Sequence, residues 1–521
     1  MQKHSGAEAF RCQGIRYSGM HCSSVLIWQK RKGDRMEEKC CADISETCEG
    51  LARACKAQTL EQERVAEIWS GLPDDPYERT GREELAGRLS RLREAMEKAD
   101  PHWEMLFLEE KTDQFYWTGS MQDGALVVTP REAVYFVRRD LTCAQRESNF
   151  PDIRPMKSFR QIGEAFPEKL HRLYVHGEDL TLKKLRMLRK YLQFEKTADA
   201  DSLISALRAQ KSDWEISCMR KAGLIHQLVI DSYAPQLLRA RLLEDCSSET
   251  GSARACNARP GSLSAADALK STVCRAFGVQ PYTEALFCVD LCRELIRLGS
   301  MGVSRFYQEM AEDALGVCAV GENGLRHFGF DSPTGEIGTS IAAKTIGSAR
   351  RVIQSGDLIL LDIPSGFLGY NTDKSKNYYV TAGKRSTCAE SGASVDFGRI
   401  QAAHDNCVFI EQETAKLLTP GAVPEELYEK AFQLVDPCFR DGFMNGVKFL
   451  GHSVGLCMDE KPVLARGFEE PLAANMTLAV EPKIALPGIG LAGTENTYLI
   501  REQGAAVSLT GDAASPWIVE L

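Results

Sequence analysis

Residues 358–380 read LILLDIPSGFLGYNTDKSKNYYV. The opening LILLDI is a nearly continuous apolar run ending around Asp362, GFLG supplies turn-forming glycines, and YNTDKSKNYYV carries Asp373 between strand-forming aromatics and Val380. That composition predicts a β-hairpin. A fold about Phe367 and Leu368 sets Asp362 opposite Asp373 with Cβ atoms roughly 5 Å apart, where like charges destabilise a ladder unless something positive sits between them. A divalent cation is the simplest such partner.

Working outward, the C-terminal segment repeats the device. Met476–Pro482 and Leu491–Ile500 flank ALPGIG, and a fold about Gly488 sets Glu481 opposite Glu495. His452, within GHSVG on a further strand-like run, adds one imidazole. Four carboxylates and one histidine form a hard, oxygen-rich donor set suited to Mn²⁺, Co²⁺, Fe²⁺ or Zn²⁺, and four acids exceed what one small dication needs, so two divalent metal ions are expected. Two ions about 3.5–4 Å apart can hold a hydroxide between them and polarise a carbonyl, which makes metal-assisted hydrolysis the expected chemistry. Taken singly, an acid in a strand belongs on a solvated face and a histidine beside glycine in the core. Two hairpins that both oppose acids beside apolar runs shift the balance toward a site.

The 521 residues predict more than one domain. A hydrophobic content of 44% and a charged content of 26% are those of an ordinary globular chain. No run approaches the ~20 apolar residues that span a bilayer, and the start lacks a signal-type apolar region, so a cytoplasmic protein with no membrane partner is expected. The net charge of −9 offers no basic face, which argues against a nucleic-acid partner. The 18 cysteines form no CxxC pair and read as free thiols, with a zinc site built from the N-terminal cysteines as the alternative.

Residues 1–78 mix charge, Gly, Ser and Cys without periodicity and are expected to be a weakly ordered extension. REELAGRLSRLREAMEKA, with Leu85, Leu89, Leu92 and Met96 on one face, predicts an amphipathic helix. MLFLEE, FYWTG, GALVVTP and AVYFVRR are expected to be short strands, and with LHRLYV and the helix TLKKLRMLRKYL they compose a small α/β domain over 79–205. Ser212 and Glu215 form a capping box opening a second domain over 206–521. Its first helix carries Trp214, Cys218, Ala222, Ile225 and Val229 on its buried face. An irregular insertion is placed at about 240–281, after which Thr283 caps a helix that Gly299 ends.

The segments DIPSGFLGYNTD, GHSVG, VEP and GTENTYLI together resemble the metal-ligand segments of the pita-bread (M24-type) metallopeptidases, which include aminopeptidase P, prolidase and methionine aminopeptidase. The resemblance covers roughly 211–521. Residues 79–205 are similar to the smaller N-terminal domain of the aminopeptidase P and prolidase branch. The implied fold class is α+β, a pita-bread catalytic domain preceded by a smaller α/β creatinase-type N-terminal domain. The implied activity is that of a metallo-exopeptidase acting on short peptides at Xaa-Pro bonds, with Mn²⁺ as the first choice of metal and a homodimer as the assembly. Carried over residue by residue, the resemblance implies that Asp362 binds one ion, Asp373 and Glu495 bridge both, and His452 and Glu481 bind the other. Glu481 would also act as general base. His327, in GENGLRHF, stands near the place of a family histidine that contacts substrate.

Three segments depart from the family pattern. Ser375, Lys376 and Asn377 replace a common Thr-Arg-Thr run, losing a bidentate guanidinium. Asp459 stands where a histidine near the substrate is common, and Pro364 where glycine is common. Two alternatives therefore stay open: a catalytically inactive pita-bread binding protein, and a hydrolase of another small C–N amide.

Overall fold

The computed structural model describes residues 62–68, 79–178, 180–243, 281–306, 312–313, 316–327, 331–381 and 397–521. Most of the expected N-terminal extension and nearly all of the expected 240–281 insertion lie outside the described residues. So do the N-terminal cysteines proposed as a zinc alternative. The cysteines that are described, Cys143, Cys218, Cys288, Cys292, Cys318, Cys407, Cys438 and Cys457, are free thiols.

The leucine stripe of 82–99 forms the helix Arg82–Ala99, with Leu85, Leu89, Leu92 and Met96 buried. It packs beside a six-stranded sheet made of β1 (Met105–Leu108), β2 (Gly124–Val128), β3 (Ala133–Val137), β4 (Ile153–Pro155), β5 (Leu170–Val175) and β6 (Phe194–Asp199), in the order β4-β3-β2-β1-β5-β6. Strands β1–β3 pair antiparallel, while β4, β5 and β6 join parallel. Side-chain alternation sends Leu106, Leu108, Leu126 and Val128 to one core and Met105, Phe107, Ala125 and Val127 to another. Both faces of the sheet are thus covered.

FYWTG is not a strand. It ends the helix Lys111–Thr118, which starts where the Glu110 carboxylate accepts the Asp113 amide and stops at left-handed Gly119. Those two caps outweigh the β-preference of Phe115, Tyr116 and Trp117, whose bulk is spent on tertiary packing: Tyr116 and Trp117 are buried. The expected domain boundary at 205/206 falls inside the helix Asp201–Ala209. The chain leaves that helix at Gln210 and re-enters helix at Asp213 behind the Ser212–Glu215 capping box, which is present in both directions.

The helix Asp213–His226 continues as a wider π-helical turn, Gln227–Tyr233. After the helix Glu284–Arg297, capped by Thr283, a small ribbon pairs β7 (Ser304–Arg305) with β8 (Glu312–Asp313). A four-stranded sheet follows, ordered β21-β13-β10-β9, from β9 (Val317–Val320), β10 (Leu358–Asp362), β13 (Ser375–Thr381) and β21 (Ile518–Glu520). Between β10 and β13 the chain makes a small ribbon of β11 (Ser365–Phe367) and β12 (Tyr370–Thr372). The helices Phe397–Leu417 and Pro424–Gln433 lead into a five-stranded sheet, β15-β14-β16-β19-β20. Its strands are β14 (Phe449–Ser453), β15 (Glu460–Ala465), β16 (Thr477–Val480), β19 (Asn496–Leu499) and β20 (Val507–Ser508), and β17 (Lys483–Leu486) with β18 (Gly490–Gly493) extend the β16/β19 hairpin. Among the described residues, no helix is long and apolar enough to cross a membrane.

Candidate metal and active site

The first hairpin turns one residue later than expected. Phe367 pairs with Tyr370 across Leu368 and Gly369, both at positive φ (51° and 96°), and Asp362 pairs with Ser375 rather than Asp373. A two-residue type I′ turn needs positive φ at both central positions, and Gly369 is placed to meet that requirement while Gly366 stays in β11. The correction shifts the register by two residues, so Asp373 remains on the same face as Asp362, as its diagonal neighbour. The second hairpin has the expected register: Val480 pairs with Asn496 and Lys483 with Gly493, which leaves Glu481 and Glu495 between two paired stretches.

Backbone and hydroxyl groups lock the two hairpins together. The Glu495 amide donates to the Ser375 carbonyl at 3.1 Å, and the Asp373 amide donates to Thr497 Oγ1 at 2.8 Å. Ser375 Oγ donates to Glu495 Oε2 at 2.5 Å, so the hydroxyl retained at this departure from the family pattern supports a candidate ligand directly. Lys376 turns away, donating to Asp231 at 2.7 Å, while Asn377 bridges the Ile359 and Leu491 carbonyls.

The result is an open cavity of about 550 Å³ with Asp362, Asp373, His452, Asp459, Glu481 and Glu495 in its wall. Two groups of ligand atoms lie close enough to hold an ion: Asp373, His452 and Glu495, and Asp362, Glu481 and Glu495, each within 4.8 Å. Glu481 thus groups with Asp362, while its Oε1 also stands 3.5 Å from His452 Nε2. His452 Nδ1 faces its neighbour's carbonyl at Ser453, 3.2 Å away, leaving Nε2 toward the acids. Asp459 approaches that Nε2 at 3.2 Å and itself adopts a left-handed backbone. His327 is exposed and is not among the residues lining the cavity.

Burial raises the Asp373 carboxyl well above its ordinary range, with Glu495 and Asp362 adding repulsion. Burial likewise lifts Glu495 to about 8 against the pull of Lys483. Carboxylates held this way are stabilised by added positive charge. The fit to a divalent ion is supported by one orphan: Glu495 Oε1 is buried and has no hydrogen-bond partner.

Two participants were not foreseen. Lys483 is fully buried, and its ammonium lies 2.5 Å from Glu481 Oε2, 3.2 Å from Glu495 Oε2 and 3.6 Å from Asp362 Oδ2. Burial disfavours its charge, but Asp362, Glu481 and Glu495 outweigh that and hold it well above the ordinary lysine range. A lysine directly after VEP and before the apolar IAL was the available signal. His226, one position from the predicted helix stripe, faces the Ile363 carbonyl through Nε2 at 2.6 Å and the Thr372 hydroxyl through Nδ1 at 3.0 Å. It therefore clamps the residues next to Asp362 and Asp373, and burial keeps it neutral, at about 3.

A creatinase-type sheet domain joined to a dinuclear-type acid cluster defines a class, and sequence comparison agrees. Residues 289–502 match the metallopeptidase family M24 model and residues 88–210 the creatinase/prolidase N-terminal domain model. Residues 289–502 are thus an M24-type metallopeptidase segment and residues 88–210 a creatinase/prolidase-type N-terminal domain, and the α+β fold is that of two-domain prolidases. Curated relatives include the Xaa-Pro dipeptidase of Pyrococcus furiosus, 25% identical over 184 residues (35% of this chain, 48% of the relative). Another is the probable dipeptidase PepE of Mycobacterium tuberculosis, 24% identical over 161 residues (30% and 39%). The matched stretch therefore spans less than half the length of these relatives. Among solved structures, the Xaa-Pro dipeptidase from Bacillus anthracis superposes with a TM-score of 0.60 at 16% identity, covering 84% of this chain and all of that one. The prolidase from Pyrococcus furiosus gives 0.58 at 18% identity, covering 80% and 99%.

Proposed function

We propose that this chain is a divalent-metal-dependent exopeptidase that hydrolyses short peptides, with Xaa-Pro bonds as the substrate class. The observation that carries the reading is the convergence of Asp362, Asp373, His452, Glu481 and Glu495 on one cavity. The names of the relatives, Xaa-Pro dipeptidases among them, supply the substrate class. A non-catalytic binding role has less support, because a binding surface does not require buried carboxylates that repel one another.

A divalent ion bound here would act as a Lewis acid toward the scissile carbonyl and make water nucleophilic near neutral pH. Asp373, His452 and Glu495 are the residues proposed to hold it. Glu481 is the proposed general base: Oε2 is fixed by Lys483, and Oε1 faces the His452 side of the cavity, free to take a proton from water and return it to the leaving amine. The cavity wall also carries Phe306, Phe449 and Met458, an apolar surface for a peptide side chain beside the acids. Asp459 and Asp331 in the same wall suit a free peptide N-terminus. His327 keeps only its expected proximity to substrate as a proposal, and its exposed position does not favour it.

Mn²⁺ is the proposed metal, on the strength of an oxygen-rich donor set with a single imidazole. The proposed location is cytoplasmic, in keeping with the free thiols, and the proposed assembly is a homodimer. Hydrolysis of an Xaa-Pro dipeptide and of a longer Xaa-Pro peptide by protein supplied with Mn²⁺ tests the reading. Glu481→Gln is expected to lower kcat by roughly 10²–10⁴. An unchanged rate would remove Glu481 from the base role, and no cleavage by metal-loaded wild type would remove the peptidase reading.

A further inference from the structure

The two groups of candidate ligands are not equivalent. In the Asp362–Glu481–Glu495 group, the oxygens Asp362 Oδ2, Glu481 Oε2 and Glu495 Oε2 already surround the Lys483 ammonium at 3.6, 2.5 and 3.2 Å. The ammonium donates hydrogen bonds to Glu481 and Glu495 and forms an ion pair with Asp362, so all three carboxylates of the group already face one fixed positive charge. The lysine stem reaches this point because Gly493 lies opposite it in the ladder: a Cβ at 493 would stand 2.6 Å from Lys483 Cγ. The ammonium is thus installed by the hairpin, on a side chain with no exposed surface.

The other group is built differently. No lysine or arginine ammonium or guanidinium contacts His452 or Asp373 there, among the described residues. Glu495 presents its second oxygen, Oε1, buried and without a hydrogen-bond partner, 4.0 Å from His452 Nε2. Asp373 Oδ2 lies 3.8 Å from the same nitrogen. Glu495 therefore points one satisfied oxygen at Lys483 and one unsatisfied oxygen at the imidazole.

We infer that the Lys483 ammonium stands in place of one of the two divalent ions, so that this protein binds a single divalent ion, at Asp373, His452 and Glu495. This rests on the reading that the cluster binds metal at all. A dication among Asp362, Glu481 and Glu495 would have to share all three oxygens with a fixed positive charge in contact with them, and like charges at that separation repel strongly in a buried site. One fixed charge and one exchangeable ion then serve the carboxylate cluster.

The test is a count of Mn²⁺ bound per chain, by equilibrium dialysis with elemental analysis, using Mn²⁺ alone as the probe. Wild type is expected to bind one ion, and Lys483→Met, which keeps the stem and removes the charge, two. Lys483→Arg is expected to stay at one. His452→Ala should take wild type from one to none, whereas Asp362→Asn should leave one. Two ions in wild type would overturn the inference and leave the metal-dependent reading standing. No ion in wild type or in Lys483→Met would overturn that reading itself. One ion in a folded Lys483→Met would show that the lysine does not limit the count and also overturn the inference. Where Lys483→Met fails to fold, the wild-type count with the His452→Ala and Asp362→Asn pair decides: loss of the ion in Asp362→Asn, or its retention in His452→Ala, contradicts the assigned position.

Discussion

Each side chain at the cavity is held by a neighbour that can be removed singly. His226 spans the Ile363 carbonyl and the Thr372 hydroxyl, so His226→Ala strips the buried Ile363 carbonyl of its partner and leaves the Thr372 hydroxyl only the Ser365 carbonyl at 3.4 Å, next to Asp362 and Asp373. The expected outcome is a loss of about 1–3 kcal/mol in stability and about 10–100-fold in metal affinity, measured by denaturant titration and Mn²⁺ binding. Glu411 gives a pH signature. It is buried, accepts from Asn496 and Tyr498, and burial raises it from 4.5 to about 7. A carboxyl that binds its proton more tightly folded than unfolded contributes stability that is complete below about pH 4.5 and is lost as pH rises through about 7. Its share is on the order of 3 kcal/mol, and Glu411→Gln should retain it, so the variant's stability should fall less than wild type's between pH 4.5 and 8. Identical pH profiles would contradict the assignment. At this scale the four acids and the imidazole were legible because acids beside apolar runs are conspicuous. Lys483 and His226 were not, since a lone lysine in a strand and a histidine in a helix stripe acquire meaning only from what lies across from them.

Among the elements, the hairpin of β10–β13 shows how a wrong register kept the right inference. Two glycines, Gly366 and Gly369, offered competing turn positions, and the local sequence does not rank them. The fold does: Gly369 carries a φ of 96°, and a Cβ there would meet the Phe115 ring at 2.8 Å. Gly369→Ala is therefore expected to cost roughly 1–3 kcal/mol from backbone strain, with a contact penalty besides. A shift in the thermal midpoint relative to wild type measures it, and an unchanged midpoint would place the turn elsewhere. Phe115 also explains the missed helix, because the aromatics of FYWTG serve contacts to another element rather than a ladder. The β16–β19 hairpin was legible down to its register, since PGIG leaves one compact turn between two strand-like runs.

Across the whole molecule, the sheet domain is wired to the cavity through buried charge. Arg208 pairs with Asp113 at 3.3 Å and with Glu460, and Asp113 in turn holds His176 at 2.5 Å. Glu460 follows Asp459, whose carboxylate faces His452. Arg208→Met removes one partner from a buried network and is expected to cost about 3–5 kcal/mol. Because the strain falls on the Asp459 loop, KM for a peptide with a free N-terminus should rise more than kcat falls. A purely structural role would lower the active fraction and leave KM alone. Nothing in the local sequence around Arg208 announces this network, which joins residues more than 90 positions apart. Domain order and α+β class, by contrast, followed from the segment patterns and from the family resemblance.

The most direct measurement is hydrolysis of an Xaa-Pro dipeptide by protein stripped with a chelator, dialysed, and then titrated with Mn²⁺. Activity should be absent in the stripped protein and return in proportion to Mn²⁺ bound, saturating at one ion per chain. Cleavage that persists without metal, or that never appears in the fully loaded protein, would contradict a metal-dependent peptidase.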